Sequence, residues 1–353
     1  MKQLVVGPSA STEKGNGVTL ITEAILQFSG LYDLQYIDSV KKENNVLGRL
    51  LYFLFPCGVV NISLVVKIYR RIKKNKIRKV LFIGPEHGYN SLIISALFNI
   101  PVSYALIDNK PLIYKRALLS SLTYGGRLKS FIGYGFATAT YTVLGILNKQ
   151  VNFIFVSDDD AQQAANYFEK VHIIKNGTAI MRGSSKPFSK GGRPKYVFHG
   201  DFNYEPNLFA RDIFIRFVVN THNRGVIFGK NNKESSDVNI ELMGYVEDMK
   251  KYITNRHIYF CPLPYGGGIK NKVLEALAAG MLVVGTQYAF DGIDTSKIEC
   301  ILLDLSEIGD QQSDIEIDRM ICKKYIEYNP RVNIDYISKH HNWNDQVRKY
   351  LML

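Results

Sequence analysis

The stretch that most constrains this chain runs from Cys261 to Thr286: Cys-Pro-Leu-Pro-Tyr-Gly-Gly-Gly-Ile-Lys-Asn-Lys-Val-Leu-Glu-Ala-Leu-Ala-Ala-Gly-Met-Leu-Val-Val-Gly-Thr. It reads as strand, loop, helix and strand. Ile258 to Cys261 is a short apolar run of strand formers and Pro262 and Pro264 end it. Gly266, Gly267 and Gly268 then let the backbone turn before a helix begins near Ile269. First-turn N–H groups lack partners inside a helix and the macrodipole adds partial positive charge, so such a turn suits an anion, a diphosphate above all. Val273, Leu274, Leu277 and Ala278 recur at helical spacing and are expected to face a sheet, with Gly280 as the C-terminal glycine cap. Lys270, Lys272 and Glu275 are left for solvent or ligand. A lysine in the first turn opposes the dipole, so Lys270 is expected either to pair with an anionic ligand or to be a plain surface residue. Glu275, one turn in, either accepts hydrogen bonds from a vicinal diol such as a ribose or complements the dipole.

These residues resemble the donor site of the retaining glycosyltransferases of family four, whose fold is GT-B. That family carries two glutamates separated by seven residues, then an Ala-Leu/Met-Ala-x-Gly helix and a Val-Val strand. Glu275 matches the second glutamate, which in the family holds the donor's ribose. The first falls at Gly267, so the resemblance gives its contact with the transferred sugar to the backbone amides of Gly267 and Gly268. The Gly-Ile-Lys-x-Lys-Val-Leu-Glu-Ala wording is similar to that of cell-surface polysaccharide enzymes. The resemblance implies an α/β chain of two Rossmann-like domains facing across a cleft. It implies retaining, hexosyltransferase-type transfer from a UDP- or GDP-linked sugar to a glycan or lipid-linked acceptor, in polysaccharide or lipopolysaccharide assembly. No cofactor and no metal are expected. The expected location is the cytoplasm, including the inner face of the membrane.

A length of 353 residues exceeds one typical core and fits two domains. Lys and Arg outnumber Asp and Glu by 44 to 32, a formal net charge of +12, which favours an anionic partner. Nucleotide and membrane qualify; nucleic acid is set aside because no nucleic-acid module accompanies the charge. Cys57, Cys261, Cys300 and Cys322 have neither zinc nor disulfide spacing, which fits a reducing compartment. The apolar run at Met1 to Gly7 is too short for a signal peptide and reads as a first strand.

Gly15 and Gly17 lie between that strand and a helix from Val18 to about Phe28, and the resemblance places them near the donor phosphates. Leu50 to Val66 is uncharged but broken by Pro56, Gly58 and Asn61, and is too short to span a bilayer. Lys67 to Lys79 follows with a dense basic run, read as a solvated helix face or as a dock for an anionic membrane surface. A second uncharged stretch, Ser130 to Asn148, reads as a buried or interface helix. The expected strands Val80 to Ile83 and Val102 to Ile107 end at His87 and Asp108, where ligands of doubly wound sheets gather. The resemblance favours Asp108, in the acceptor pocket, as a catalytic residue beside Lys270.

Val151 to Asp160 runs an apolar strand into three aspartates, which is also how metal-dependent GT-A transferases present their cation. Ser157 followed three residues later by Asp160 is instead a helix-capping signature. The domain division expected is 1–182 for the acceptor domain, 183–195 for a linker, 196–330 for the nucleotide-sugar domain and 331–353 for a helical segment crossing back. Within the second domain, Gly200 and Tyr204-Glu-Pro-Asn207 resemble the family, but the Arg and Lys that often follow this glycine are missing. Phosphate contact then falls to Lys270 and Lys230, and the backbone at Val246 to the nucleobase. Two rival readings stand: a GT-A transferase using Asp158 to Asp160, and a catalytically silent nucleotide-sugar-binding subunit.

Overall fold

The computed structural model describes residues 2–8, 17–27, 32–39, 53–120, 124–178, 193–232 and 239–353. Gly15 and most of the expected linker lie outside them. The chain forms two compact units, Met1–Asn176 with Trp343–Leu353, and Gly177–Asn342.

The first unit is built on six parallel strands: β1 (Gln3–Gly7), β2 (Leu34–Asp38), β3 (Lys79–Ile83), β4 (Val102–Ile107), β5 (Asn152–Phe155) and β6 (Val171–Ile173), in the order β2-β1-β3-β4-β5-β6. β1, β3 and β4 are buried along their whole length, as strands covered by helices on both faces must be. The helices Ile62–Asn75, Gly88–Leu97 and Tyr124–Leu147 belong to crossovers that all step the same way along the sheet, and right-handed crossovers put them on one face. One core joins them: Leu64, Ile68, Ile94, Tyr141 and Leu144 pack with Leu4, Val6, Phe82 and Tyr104 of the strands.

Asn61 caps the helix Ile62–Asn75, its side chain accepting from the Leu64 N–H at 2.9 Å, and Lys76 ends it in the left-handed region at φ 54°. Lys67, Arg70, Arg71, Lys73 and Lys74 are exposed opposite the buried Leu64, Val65, Ile68 and Ile72. The basic run is narrower than its sequence, because Lys79 belongs to β3. It is buried there, donates to the Leu351 carbonyl at 2.7 Å, and burial lowers its pKa to about 8. Gln3 Nε2 donates to the same carbonyl at 2.8 Å, so two buried side chains fix the terminal helix Trp343–Met352 in the first unit. The segment expected at 331–353 is therefore divided. The helix Pro330–His340 stays in the second unit, where Asn333 donates to the Glu299 carbonyl at 2.9 Å and accepts from its N–H at 2.8 Å.

The second unit has strands β7 (Tyr196–His199), β8 (Gly225–Phe228), β9 (Ile240–Met243), β10 (Ile258–Cys261), β11 (Leu282–Gly285) and β12 (Cys300–Leu302), all parallel, in the order β12-β11-β10-β7-β8-β9. Chain order reverses at β7, so connections leave β10 and β7 in opposite directions and open a crevice above their carboxyl ends. The helix Asn271–Ala278 buries Val273, Leu274, Leu277 and Ala278 as expected. It ends in Gly280 at φ 72°, with the Met281 N–H donating to the Ala276 carbonyl at 3.0 Å.

Candidate active site at the carboxyl edge of the second sheet

The glycine turn closes on its own lysine. Gly268 sits at φ 67°, where a side chain is strained, and a Cβ on Gly266 would come within 3.1 Å of the Lys270 side chain. Lys270 is buried, and its Nζ donates to the carbonyls of Gly267 at 2.8 Å and Gly268 at 2.7 Å, with Asp291 Oδ2 at 3.6 Å. Its burial overturns the plain-surface reading of Lys270, and the expected helix start moves by two residues. The helix begins at Asn271, because Lys270 has extended backbone at φ −86°, ψ 102° and occupies the cap position. Lys270 is also an internal brace of the loop, its charge already engaged by two carbonyls and a carboxylate.

Lys272 is half-buried and lies beside Asn207 and Gly200. Its ammonium donates to Asn207 Oδ1 and lies 4.6 Å over the Phe198 ring, and a Cβ on Gly200 would stand 3.4 Å from it. It makes no ion pair among the described residues, and burial lowers its pKa to about 8. A half-buried cation with one neutral acceptor is ready for an anion.

Glu275 stands three residues on, hence on the same helix face. Its Oε2 lies 3.1 Å from His199 Nε2, and His199 Nδ1 lies 3.1 Å from the Tyr259 hydroxyl, while the imidazole stacks on Phe228 at 5.0 Å and 2°. Burial pushes the Tyr259 phenol well above its usual range, so it stays a donor. The chain of contacts Tyr259–His199–Glu275 holds the carboxylate in place through one of its oxygens and leaves lone pairs for a ligand.

The neighbouring strand ends complete the edge. The Gly200 N–H donates to the Phe228 carbonyl at 3.2 Å, the Gly229 N–H to the Gly244 carbonyl at 3.0 Å, and the Phe202 N–H to the Lys230 carbonyl at 3.0 Å. Lys230 and Val246 are half-buried in the loops that follow β8 and β9. The loop after β10 is tied down by Tyr265, whose hydroxyl donates to Glu205 at 3.0 Å, and by Thr286, which donates to the Leu263 carbonyl at 2.6 Å. Gly266 to Ile269, Lys230, Val246, Lys270 and Glu275 thus share one sheet edge, with Lys272, Asn207 and His199 added to those the sequence singled out. Position carried the missing signal: His199 closes a strand directly before Gly200, and Lys272 falls one i,i+3 step from Glu275.

In the first unit Asp108 follows β4. The residue before it, Ile107, is held at φ 74°, and the pairing of β4 with β5 shifts register between Ala105 and Ile107. A β-branched residue in that region is strained, and the strain is held by the Tyr141 hydroxyl donating to the Asp108 carbonyl at 3.2 Å. Gly17 begins the helix Gly17–Gln27. His87 is buried with its ring 5.7 Å from Phe82, a core position.

The three aspartates do not converge as the GT-A alternative requires. Asp158 pairs with Lys175 at 3.2 Å and Asp159 with Arg116 at 2.8 Å. Asp160 is buried, accepting from Ser157 Oγ at 2.7 Å and from the Asn109 N–H at 3.2 Å while Ser157 Oγ accepts from its own N–H. No group of three or more His, Cys, Asp or Glu suited to a metal occurs among the described residues. Asp160→Ala is therefore expected to lower the stability of the first unit by about 1–3 kcal/mol, since it unties a buried network, whereas Asp158→Asn changes it by under about 0.5 kcal/mol. Thermal denaturation of the two variants checks this.

Residues 193–304 match the family described as glycosyl transferases group 1. No curated protein sequence matches the chain. Sucrose-phosphate synthase from Thermosynechococcus elongatus aligns over 99% of this chain and 97% of its own with a TM-score of 0.70 at 11% identity. HepE from Anabaena, solved in complex with UDP-glucose, aligns over 100% and 98% with 0.63 at 12%. WaaG, a glycosyltransferase involved in lipopolysaccharide biosynthesis, aligns over 100% and 99% with 0.62 at 12%. Two six-stranded parallel sheets in sequence agree with these structures, so the chain has the GT-B fold, and the match to the group 1 glycosyl transferases falls on its second unit.

Proposed function

We propose that this protein is a retaining, hexosyltransferase-type glycosyltransferase that moves a sugar from a UDP- or GDP-linked donor to a glycan or lipid-linked acceptor in cell-surface polysaccharide or lipopolysaccharide assembly. The observation that carries this is the pairing of Lys272 and Glu275 on one helix face beside Gly200, at the strand-order reversal of the second sheet. There the diphosphate meets Lys272 and the helix N-terminus, the ribose meets Glu275, and the nucleobase meets the loop at Val246. Lys230 stands by as a second cation. HepE binding UDP-glucose supports the donor class.

Catalysis needs no side-chain nucleophile. As the bond from the anomeric carbon to the diphosphate oxygen breaks, charge grows on that oxygen, where the Lys272 ammonium and the first helical turn stabilise it. The departing oxygen takes the acceptor's proton while the acceptor oxygen bonds the same face of the sugar. Lysine and helix dipole supply the positive charge a cation would otherwise bring, so transfer proceeds without a metal. The acceptor takes the carboxyl edge of the first sheet, at Asp108. The basic helix Ile62–Asn75 holds the enzyme near the anionic inner face of a membrane.

Glu275→Ala is expected to weaken UDP or GDP binding by about 1.5–3 kcal/mol, the range for hydrogen bonds to a charged group. Titration calorimetry on the folded variant measures it, and unchanged affinity would remove the ribose assignment. Donor hydrolysis by the wild-type protein separates an enzyme from a silent binder.

A further inference from the structure

The helix Tyr124–Leu147 is anchored along one side. Ser130, Gly133, Ala137, Thr140, Tyr141 and Leu144 are buried, and the Tyr141 ring packs edge-on to Tyr167 at 5.6 Å. Two glycines bring it in close: a Cβ on Gly133 would lie 2.5 Å from the Tyr114 ring, and one on Gly145 would lie 1.9 Å from the Tyr167 carbonyl. A helix held this way stays on the sheet. Its length and composition would also suit a membrane span, but the burial of its inner face assigns it to the core of the first unit.

From Phe131 to Leu147 the outer side carries no charge and is mostly apolar. Tyr124, Leu128, Phe131, Phe136, Ile146 and Leu147 are exposed, Phe131 by 63% and Ile146 by 65%. Water-facing ridges of this kind are uncommon on proteins without a partner for them. Charge identifies the partner. The helices Ile62–Asn75, Gly88–Leu97, Lys110–Ser120 and Tyr124–Leu147 together contain no Asp or Glu. Lys67, Arg70, Arg71, Lys73 and Lys74 are exposed on the first of them, and Arg127 and Lys129 on the last. Apolar ridge and cations lie in one helical layer, on the same face of the first sheet.

We infer that this layer is a membrane-docking face, on which the Tyr124–Leu147 ridge lies in the plane of an anionic bilayer and inserts its outer side chains below the headgroups. The basic helix supplies long-range attraction and the ridge a salt-resistant hold, as interfacial amphipathic helices do. The inference deepens the proposed function by giving its lipid-linked acceptor a surface, but it stands on the first unit alone.

Vesicle flotation of the full chain tests it, with phosphatidylglycerol-containing and pure phosphatidylcholine vesicles. The wild type is expected to float with the anionic vesicles at low salt and to keep a bound fraction at about 0.5 M salt, where the Debye length has fallen below about 5 Å. A Phe131→Gln, Ile146→Gln double variant keeps low-salt binding but loses that fraction, by about tenfold. Arg70→Gln with Arg71→Gln loses low-salt recruitment. Both variants should bind UDP or GDP as the wild type does, which reports folding and keeps failure here distinct from failure of the donor reading. Wild-type binding fully reversed by salt, or no binding to anionic vesicles at all, overturns the inference. So does a wild-type dimer that the ridge variant converts to monomer, since a second copy then covers the face.

Discussion

Lys272→Met is expected to lower donor turnover by about 10²–10³-fold, the scale for removing one donor that stabilises charge on a leaving group. Methionine keeps the length of the side chain and its packing on Phe198 while removing the ammonium. Nucleoside binding should barely change, because Glu275 and the loops after β8 and β9 are untouched. Nucleoside diphosphate binding should weaken, and equal losses for the two ligands would place Lys272 outside the phosphate site. A pH signature comes with it. In the free protein burial holds Lys272 at about 8, so its ammonium is lost as pH rises through that value, and diphosphate affinity falls with it. An anion beside the amine raises its pKa, so binding above pH 8 takes up a proton, read as a calorimetric enthalpy that depends on the buffer. The stability sign is opposite to the functional one. The folded pKa lies below the ordinary lysine value, so between about pH 8 and 10.5 the unfolded chain binds the extra proton and stability rises with pH. Lys272→Met removes the cost of burying the charge at pH 7, and the variant should melt no lower than the wild type there.

The contrast between the two lysines of that loop shows what the sequence could carry. The glycine turn, the helix with its apolar face and the closing Gly280 all follow from local rules of spacing and backbone geometry, and each stands where those rules put it. Which lysine turns inward does not follow from them. Lys270 turns inward because the glycines present their carbonyls to it and Asp291 approaches from beyond β11. Lys272 is exposed to the site because Asn207 and Phe198, more than sixty residues earlier, form its bed. Those are tertiary facts. The His199–Glu275 bond likewise joins residues 76 apart, and no periodicity signals it. In the first unit, Ser157 and Asp160 were legible as a cap because capping is local, and the cap removes Asp160 from any metal constellation. The helix Tyr124–Leu147 is legible only in part: lack of charge points to burial, but half its surface faces outward, since composition does not report which side packs.

Gly229→Ala should abolish the donor site by a different route. Gly229 follows β8 at φ 139°, a conformation that residues with a Cβ adopt only under strain, and its N–H holds the Gly244 carbonyl. A Cβ there would lie 1.9 Å from the carbonyl oxygen of Gly200. Backbone cannot swing aside as a flexible side chain can, so the loops after β7 and β8 must separate. Separation moves Gly200 from its place beside Lys272 and breaks the hydrogen bond from the Gly200 N–H to the Phe228 carbonyl. A lost hydrogen bond and a strained φ in a packed loop together cost about 3–5 kcal/mol, among the larger effects of a single substitution. Two readouts are expected together: a lowered denaturation midpoint and a loss of nucleotide diphosphate binding that persists at temperatures where the variant is still folded. Gly244→Ala is the control, since a Cβ there meets no atom within 4 Å, and it should leave both nearly unchanged. If Gly229→Ala bound UDP and GDP with wild-type affinity, the tight approach of the two strand-end loops would not be what shapes the phosphate site, and the placement of Gly200 beside Lys272 would lose its role.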